Sequence, residues 1–343
     1  MRLGISYWGF CQRFEESTVA ETPDGVRYGR PILVDAMVHA GHSVIALQER
    51  REIVPYPGLA YDGGFPELDA LFVEWRWPTY KNLGPVPVEP DLARQTALLN
   101  HYTRAGIPVV TWDPDFKITA EDEARWPTMT IADPALRPRH LTRDRVRLLF
   151  WTDFKPLFEH PHQRSCSYTY VGNNYERDDS FARYIAGPAQ SLRALGIQTS
   201  VYGNWLSWSP ERKDPSWYIR THPNVAFCGR LGFYDSMVAL NRALCTTHIQ
   251  KDEYYVASYA SGRYIEALMC WTPALVPHEF RDSSILGSSW VVRDARDVVE
   301  HVLLLSSASM DARMEIVEEQ LFNLRRTANF GVDETVSFFE SLA

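Results

Sequence analysis

A chain of 343 residues exceeds the size at which one hydrophobic core keeps growing, so two domains are expected. With 45% hydrophobic and 23% charged residues the composition is globular, which excludes dominant disorder. The net charge of -8 argues against a surface built for nonspecific nucleic-acid binding, and no apolar run approaches the ~18–20 residues of a membrane span.

Cys11, Cys166, Cys228, Cys245 and Cys270 form no CxxC pair and no metal-ligand spacing, which fits a reducing compartment and no structural zinc. The N-terminus reads as a buried strand without signal-peptide anatomy, so a cytoplasmic location is expected.

The first half alternates apolar runs with amphipathic segments. Strands are predicted over Leu3–Tyr7, Ser43–Leu47, Leu68–Glu74 and Ile107–Trp112, and helices over Pro31–Ala40 and Asp91–Arg104. Pro31 suits a first helical turn, and Gly41 and Gly106 suit helix ends. Lys117–Arg147 loses this periodicity, although Arg145–Trp151 fits a strand. The pattern restarts near Ser165, with strands at Tyr168–Val171, Thr199–Tyr202, Asn224–Cys228 and Pro273–Pro277. Helices are expected over Ser180–Leu195, Tyr234–Ala243, Ser261–Met269, Asp294–Ser306, Met310–Ala328 and Glu334–Leu342. Alternating strands and helices imply parallel sheets with right-handed crossovers. The expected division is 1–160, 161–310 and a set of C-terminal helices, 311–343, that are candidates for crossing back to the N-terminal domain.

In open parallel sheets ligands collect beyond the carboxyl ends of the strands, and the unusual residues of this chain stand there. After Tyr168–Val171 comes Gly172-Asn173-Asn174-Tyr175-Glu176-Arg177-Asp178-Asp179. Gly172 admits close backbone approach, Asn173 and Asn174 offer amides, and Arg177 suits phosphate oxygens; Asp178 and Asp179 read as helix caps. Gly229-Arg230 follows another strand, with a tight turn and a surface arginine as the alternative. Arg263 and Glu266 share one face of a helix, so the arginine can meet phosphate while the carboxylate accepts ribose hydroxyls; a local ion pair is the alternative. Helix N-termini also favour anions.

In the first half, Asp113 and Asp115 follow a strand. They are candidates for the base that deprotonates an acceptor hydroxyl, for ligands of a divalent ion, or for loop caps. Tyr7-Trp8 and Glu74-Trp75-Arg76-Trp77 are further strand-end candidates, and Arg30 is a candidate phosphate contact near the start of the first helix. From Arg137 to Arg164 seven basic residues face three acidic ones, a local charge of +4 that reads as a solvated connector or as a polyanion-facing strip.

Arg263-Tyr264-Ile265-Glu266-Ala267 followed by Trp271-Thr272-Pro273-Ala274-Leu275 resembles the C-domain signature of GT-B glycosyltransferases, with Trp271 near the place where glycine is usual. Tyr170-Val171-Gly172-Asn173-Asn174-Tyr175 looks like the start of that domain in bacterial and phage glycosyltransferase-like proteins. Ala40-Gly41-His42-Ser43-Val44 is similar to the entry into the second strand of many GT-B enzymes.

The resemblance implies a GT-B type α/β fold, two Rossmann-like parallel-sheet domains facing a central cleft, with the donor nucleotide's ribose on Glu266. It implies a nucleotide-sugar donor, UDP-sugar favoured, and an acceptor hydroxyl. The arrangement also resembles phage DNA glycosyltransferases, whose acceptor is a hydroxymethylated base in DNA. A sugar-nucleotide epimerase and a noncatalytic GT-B-like scaffold are the alternatives. The absence of GxGxxG after the first strand argues against a Rossmann dehydrogenase, and no P-loop is present.

Overall fold

A computed structural model of the chain describes residues 1–7, 11, 29–47, 56–75, 89–137, 144–150, 156–161, 165–206, 215–283, 286, 288–327 and 331–343. The described residues form two compact units, one built from those up to 150 together with 331–343, the other from those between 156 and 327.

The first unit is a seven-stranded parallel sheet. Its strands are β1 (Arg2–Ser6), β2 (Ser43–Ala46), β3 (Leu59–Tyr61), β4 (Ala70–Glu74), β5 (Val109–Trp112), β6 (Thr130–Asp133) and β7 (Val146–Arg147), in the order β3-β2-β1-β4-β5-β6-β7. A parallel sheet covered on both faces needs continuous rather than alternating apolar strands. β4 (ALFVE) and β5 (VVTW) are accordingly buried at every position. One core cluster joins Leu71, Val73 and Val109 of the sheet to Leu98, Leu99 and Tyr102 of α2 (Glu89–Arg104). On β4, Phe72 meets Phe339 edge-on at 5.9 Å, and His42 bonds Glu340 at 2.8 Å; both partners lie on the last helix (Val332–Glu340), which also packs on α1 (Gly29–His39).

The stretch after residue 117 is not irregular throughout. Thr119 caps the short helix α3 (Ala120–Arg125) in a reciprocal capping box with Asp122, and β6 follows. Six residues are too few for a helical period to register. Arg145–Trp151 contributes only the two-residue β7.

The second unit contains β8 (Ser167–Val171), β9 (Gln198–Tyr202) and β10 (Val225–Gly229) in the order β10-β9-β8, and β11 (Thr246–Thr247), β12 (Ala274–Pro277) and β13 (Val291–Val292) in the order β11-β12-β13. A parallel bridge between Tyr168 and Cys245 joins the two sets. Leu244 N–H donates to the Ser167 carbonyl at 2.8 Å and Thr169 N–H to the Cys245 carbonyl at 3.1 Å. The joined order, β10-β9-β8-β11-β12-β13, is that of a Rossmann sheet, with its reversal of strand order between β8 and β11.

Around this sheet lie α4 (Asp178–Phe181), a π-helical turn (Ala182–Ala186), α5 (Gly187–Ala194), α6 (Pro215–Thr221), α7 (Phe233–Arg242), α8 (Asp252–Val256), α9 (Gly262–Met269), α10 (Ala295–Ser307) and α11 (Met310–Thr327). On α11, Gln320 brackets Ala274 with two hydrogen bonds, and the buried Arg313 donates to the carbonyls of Ala243 and Leu244 just past α7. A cation there meets the negative end of the α7 dipole.

Candidate functional site

In the first unit the strand-end acids are bound up in the fold. Asp113 is wholly buried: Oδ1 accepts from Lys117 N–H at 2.7 Å, and Oδ2 accepts from Ile118 N–H at 3.0 Å and from Arg145 Nη1 at 2.8 Å. A base must reach the proton it removes, and this carboxylate instead shapes the loop after β5. Asp115, half-buried on the same loop, has no part in that ion pair.

Arg145 also stands 3.5 Å from buried Asp133, and Arg147 is half-buried with Nη1 on the Leu136 carbonyl at 3.3 Å. Burial lowers the Arg147 pKa from its ordinary value. These two members of the basic strip therefore serve the interior, not a polyanion. Arg139, Arg143, Lys155 and Arg164 lie outside the described residues, as do Trp8, Arg76 and Trp77.

Arg30 is buried and forks onto Glu74, Nε to Oε2 at 2.8 Å and Nη2 to Oε1 at 2.7 Å, with Tyr7 beneath its guanidinium at 5.3 Å. An arginine so engaged is not a phosphate ligand at the start of α1. Burial pushes the nearby Cys11 thiol up to about 12, so it is a packed hydrophobe and not a nucleophile. Trp75 packs edge-on against Trp126 at 6.0 Å and is buried.

In the second unit the carboxyl edge of the sheet is a rim of glycines. Gly172 follows β8, Gly203 follows β9 and Gly229 ends β10. Gly172 N–H donates to the Tyr202 carbonyl at 2.9 Å and Gly203 N–H to the Gly229 carbonyl at 2.7 Å. Gly229 has φ +79°, which favours glycine.

Asn173 and Asn174 are spent on this rim. Asn173 Oδ1 accepts from Asn204 N–H at 2.8 Å, and Asn174 Nδ2 donates to the Tyr218 hydroxyl and to Asp178. Arg177 is half-buried and fixed by Nη1 to the Tyr170 hydroxyl at 2.9 Å and to the Asn173 carbonyl at 3.4 Å. Its Nε is buried with no hydrogen-bond partner in the chain. Arg230 is exposed just past β10.

On α9, Arg263 Nη1 donates to Glu266 Oε2 at 2.5 Å. The glutamate side chain is 1% exposed and the arginine 30%, so it is the cation that faces outward. Trp271 takes the left-handed conformation (φ +56°) that a glycine would adopt without strain. Its indole N–H donates to the Phe158 carbonyl at 2.7 Å. The position where the resembled signature usually has glycine is thus a positive-φ turn, which this chain fills with a packed tryptophan.

Two polar residues that the sequence reading did not single out stand at the carboxyl end of β11, beside the switch point. His248 donates its Nε2 proton to the Tyr259 carbonyl at 3.5 Å, leaving Nδ1 as a buried acceptor, and Gln250 is buried with both amide atoms unbonded within the chain. They were masked in the sequence because β11 is two residues long and leaves no alternating pattern. Gly203 carries the same strand-then-glycine signal as Gly172 and Gly229.

Burial, with the nearby Arg177 charge, lowers the His248 pKa from 6.5 to about 3. As pH falls through 6.5 the unfolded chain takes up this proton and the folded one does not until about 3. The stability this supplies above pH 6.5 is therefore lost on acidification, at about 1.4 kcal/mol per pH unit. Unfolding of wild type and His248→Phe between pH 7 and pH 5 should diverge by about 2 kcal/mol; parallel curves would refute the neutral buried imidazole.

Among the described residues no three His, Cys, Asp or Glu side chains converge as a metal site. No described helix is long and apolar enough to cross a membrane.

Two parallel α/β units, the second with Rossmann strand order around a polar switch point, define a GT-B fold. No protein-family model matches the sequence, and no curated protein matches it. Among solved structures, the chain is similar to an O-GlcNAc transferase variant from Thermobaculum terrenum, with TM-score 0.54 and 12% identity over 100% of this chain and 67% of that one. Weaker likenesses are to sucrose-phosphate synthase from Thermosynechococcus elongatus (TM-score 0.48, 12% identity, 99% and 98% covered) and to MurG from Acinetobacter baumannii (TM-score 0.41, 10% identity, 99% and 99% covered).

Proposed function

We propose that this protein is a glycosyltransferase that moves a sugar from a nucleotide-sugar donor, UDP-sugars first among them, to an acceptor hydroxyl. The observation that carries the reading is the GT-B fold with a half-buried arginine, Arg177, at the switch point of the second sheet. The similar Thermobaculum chain is itself a sugar transferase.

The acceptor oxygen bonds to the anomeric carbon while the bond to the diphosphate oxygen breaks, and the acceptor proton passes to a base. Arg177, Arg230 and Arg263 would stabilise the departing diphosphate, the electrostatic contribution that usually dominates such sites. Gly229, with open space where a Cβ would stand, admits the ligand close to the backbone, whereas at Gly172 that space is taken by the Tyr170 ring and hydroxyl; Asn173 and Asn174 hold the loop that carries Arg177. Glu266 Oε2 is paired with Arg263, so the proposed ribose contact of Glu266 lies beside its ion pair. Of the two loop aspartates, Asp115 is the one proposed as base. A DNA acceptor would draw on the other members of the basic strip, such as the exposed Arg137, because Arg145 and Arg147 turn inward.

Thermal unfolding against UDP, GDP, CDP, ADP and their sugars, with and without Mg²⁺, tests the reading. A ligand at about 100 times its Kd stabilises by about 2.7 kcal/mol. One nucleotide should raise the midpoint by several degrees, and Arg177→Ala and Arg263→Ala should abolish the rise. No rise with any of them would sink the proposal.

A further inference from the structure

The carboxyl ends of β8 and β11 are tied together by their own loops. Lys251 Nζ bonds Glu176 Oε2 at 2.6 Å. The Tyr255 hydroxyl accepts from the Gln250 backbone N–H at 3.1 Å and bonds Ser180, next to the Arg177 loop. Between these ties the chain leaves polar atoms unserved: His248 Nδ1, both amide atoms of Gln250, and Arg177 Nε. Gln250 is 1% exposed and His248 is 3% exposed. Leaving a polar group unserved in the interior costs free energy, and His248, Gln250 and Arg177, which carry such atoms, follow the carboxyl ends of β11 and β8, the two strands between which the strand order reverses.

Their chemistry restricts the occupant. His248 is flanked by the Tyr264 and Phe280 rings at 5.2 and 6.1 Å, and its Nδ1 can only accept. Gln250 needs both a donor and an acceptor. The Arg177 charge acts on His248. A hydroxyl group donates and accepts at one oxygen, which suits both atoms of the Gln250 amide and the His248 acceptor.

We propose that Gln250 and His248 form a buried neutral subsite that takes hydroxyls of a hexosyl group whose phosphate lies on Arg177. The subsite determines which sugar is accepted, and the inference rests on the donor-site reading above.

The full-length protein is titrated calorimetrically with UDP, GDP, CDP and ADP, with the glucose conjugate of each, and with UDP-N-acetylglucosamine and GDP-mannose. Wild type should bind a sugar conjugate more tightly than the matching bare diphosphate. Gln250→Leu should weaken the conjugate about tenfold and leave the diphosphate within about twofold; His248→Phe should behave alike. Without ligand, Gln250→Leu should unfold at or above the wild-type midpoint, since leucine leaves no orphaned amide.

Equal loss for diphosphate and conjugate, or no loss for either, overturns the subsite and leaves the donor site standing. A ligand-free midpoint several degrees below wild type also overturns it, because Gln250 would then have its partners within the fold. Failure of every nucleotide to bind wild type overturns the donor-site reading itself.

Discussion

Arg145→Ala is expected to destabilise the first unit by roughly 3–5 kcal/mol, the usual cost of stripping the partner from a buried charge. The guanidinium is the counter-ion held between Asp113 at 2.8 Å and Asp133 at 3.5 Å, and the three side chains are fully shielded from water. Removing it leaves two carboxylates facing each other without a cation. Domains are stable by only about 5–15 kcal/mol, so the loss takes a large share of the total. Differential scanning calorimetry should show the transition of the first unit moving down strongly while that of the second moves little.

Asp113→Asn separates a structural acid from a catalytic one. A base could be lost with the fold intact, so a variant that is native in stability but inactive would restore Asp113 as the base. An anchor cannot be lost in that way: the amide supplies a donor where Lys117 and Ile118 present N–H groups and where Arg145 expects a charge. The variant should therefore melt early.

Most of the fold was written in the sequence because parallel sheets buried on both faces leave unbroken apolar runs such as Ala70–Glu74, and amphipathic helices such as α2 and α7 leave a period. The short elements left no such trace: β3, β11 and β13 carry two or three residues each. A residue type bound to a backbone need was legible, as at Gly229 with its φ of +79°. Site chemistry was illegible where the partner is remote in the chain. Nothing near Asp113 announces Arg145, 32 residues away, and nothing near Arg30 announces Glu74, 44 residues away. Both pairs convert a residue type that suggests ligand binding into an internal bond. The converse holds at Gln250 and His248, where burial without a partner becomes visible only once the chain is folded.

Gly203→Ala is expected to cost roughly 2–5 kcal/mol and to reduce nucleotide binding together with stability. The residue has φ +133°, and an added Cβ would lie 2.2 Å from the Gly172 carbonyl oxygen and 2.7 Å from its carbon. Both are backbone atoms, so relief has to come from moving the loop rather than turning a side chain. That loop cannot move alone. Gly172 is held by the Trp205 indole N–H on its carbonyl at 2.7 Å, Asn173 by the Asn204 N–H at 2.8 Å, and Arg177 by the Asn173 carbonyl. Displacing Gly172 therefore shifts the arginine proposed to meet the diphosphate.

Gly229→Ala is the control. It too has positive φ (+79°), but an added Cβ meets nothing within 4 Å, so it should cost only the conformational ~1–2 kcal/mol. Urea unfolding and nucleotide titration of the two variants together decide the matter. A larger loss for Gly203→Ala in both readouts means that the close approach of Gly203 to Gly172 holds the edge of the site in place. Equal stability losses with wild-type nucleotide affinity would mean that the glycines serve backbone conformation alone and that the loop carrying Arg177 is not part of the binding edge.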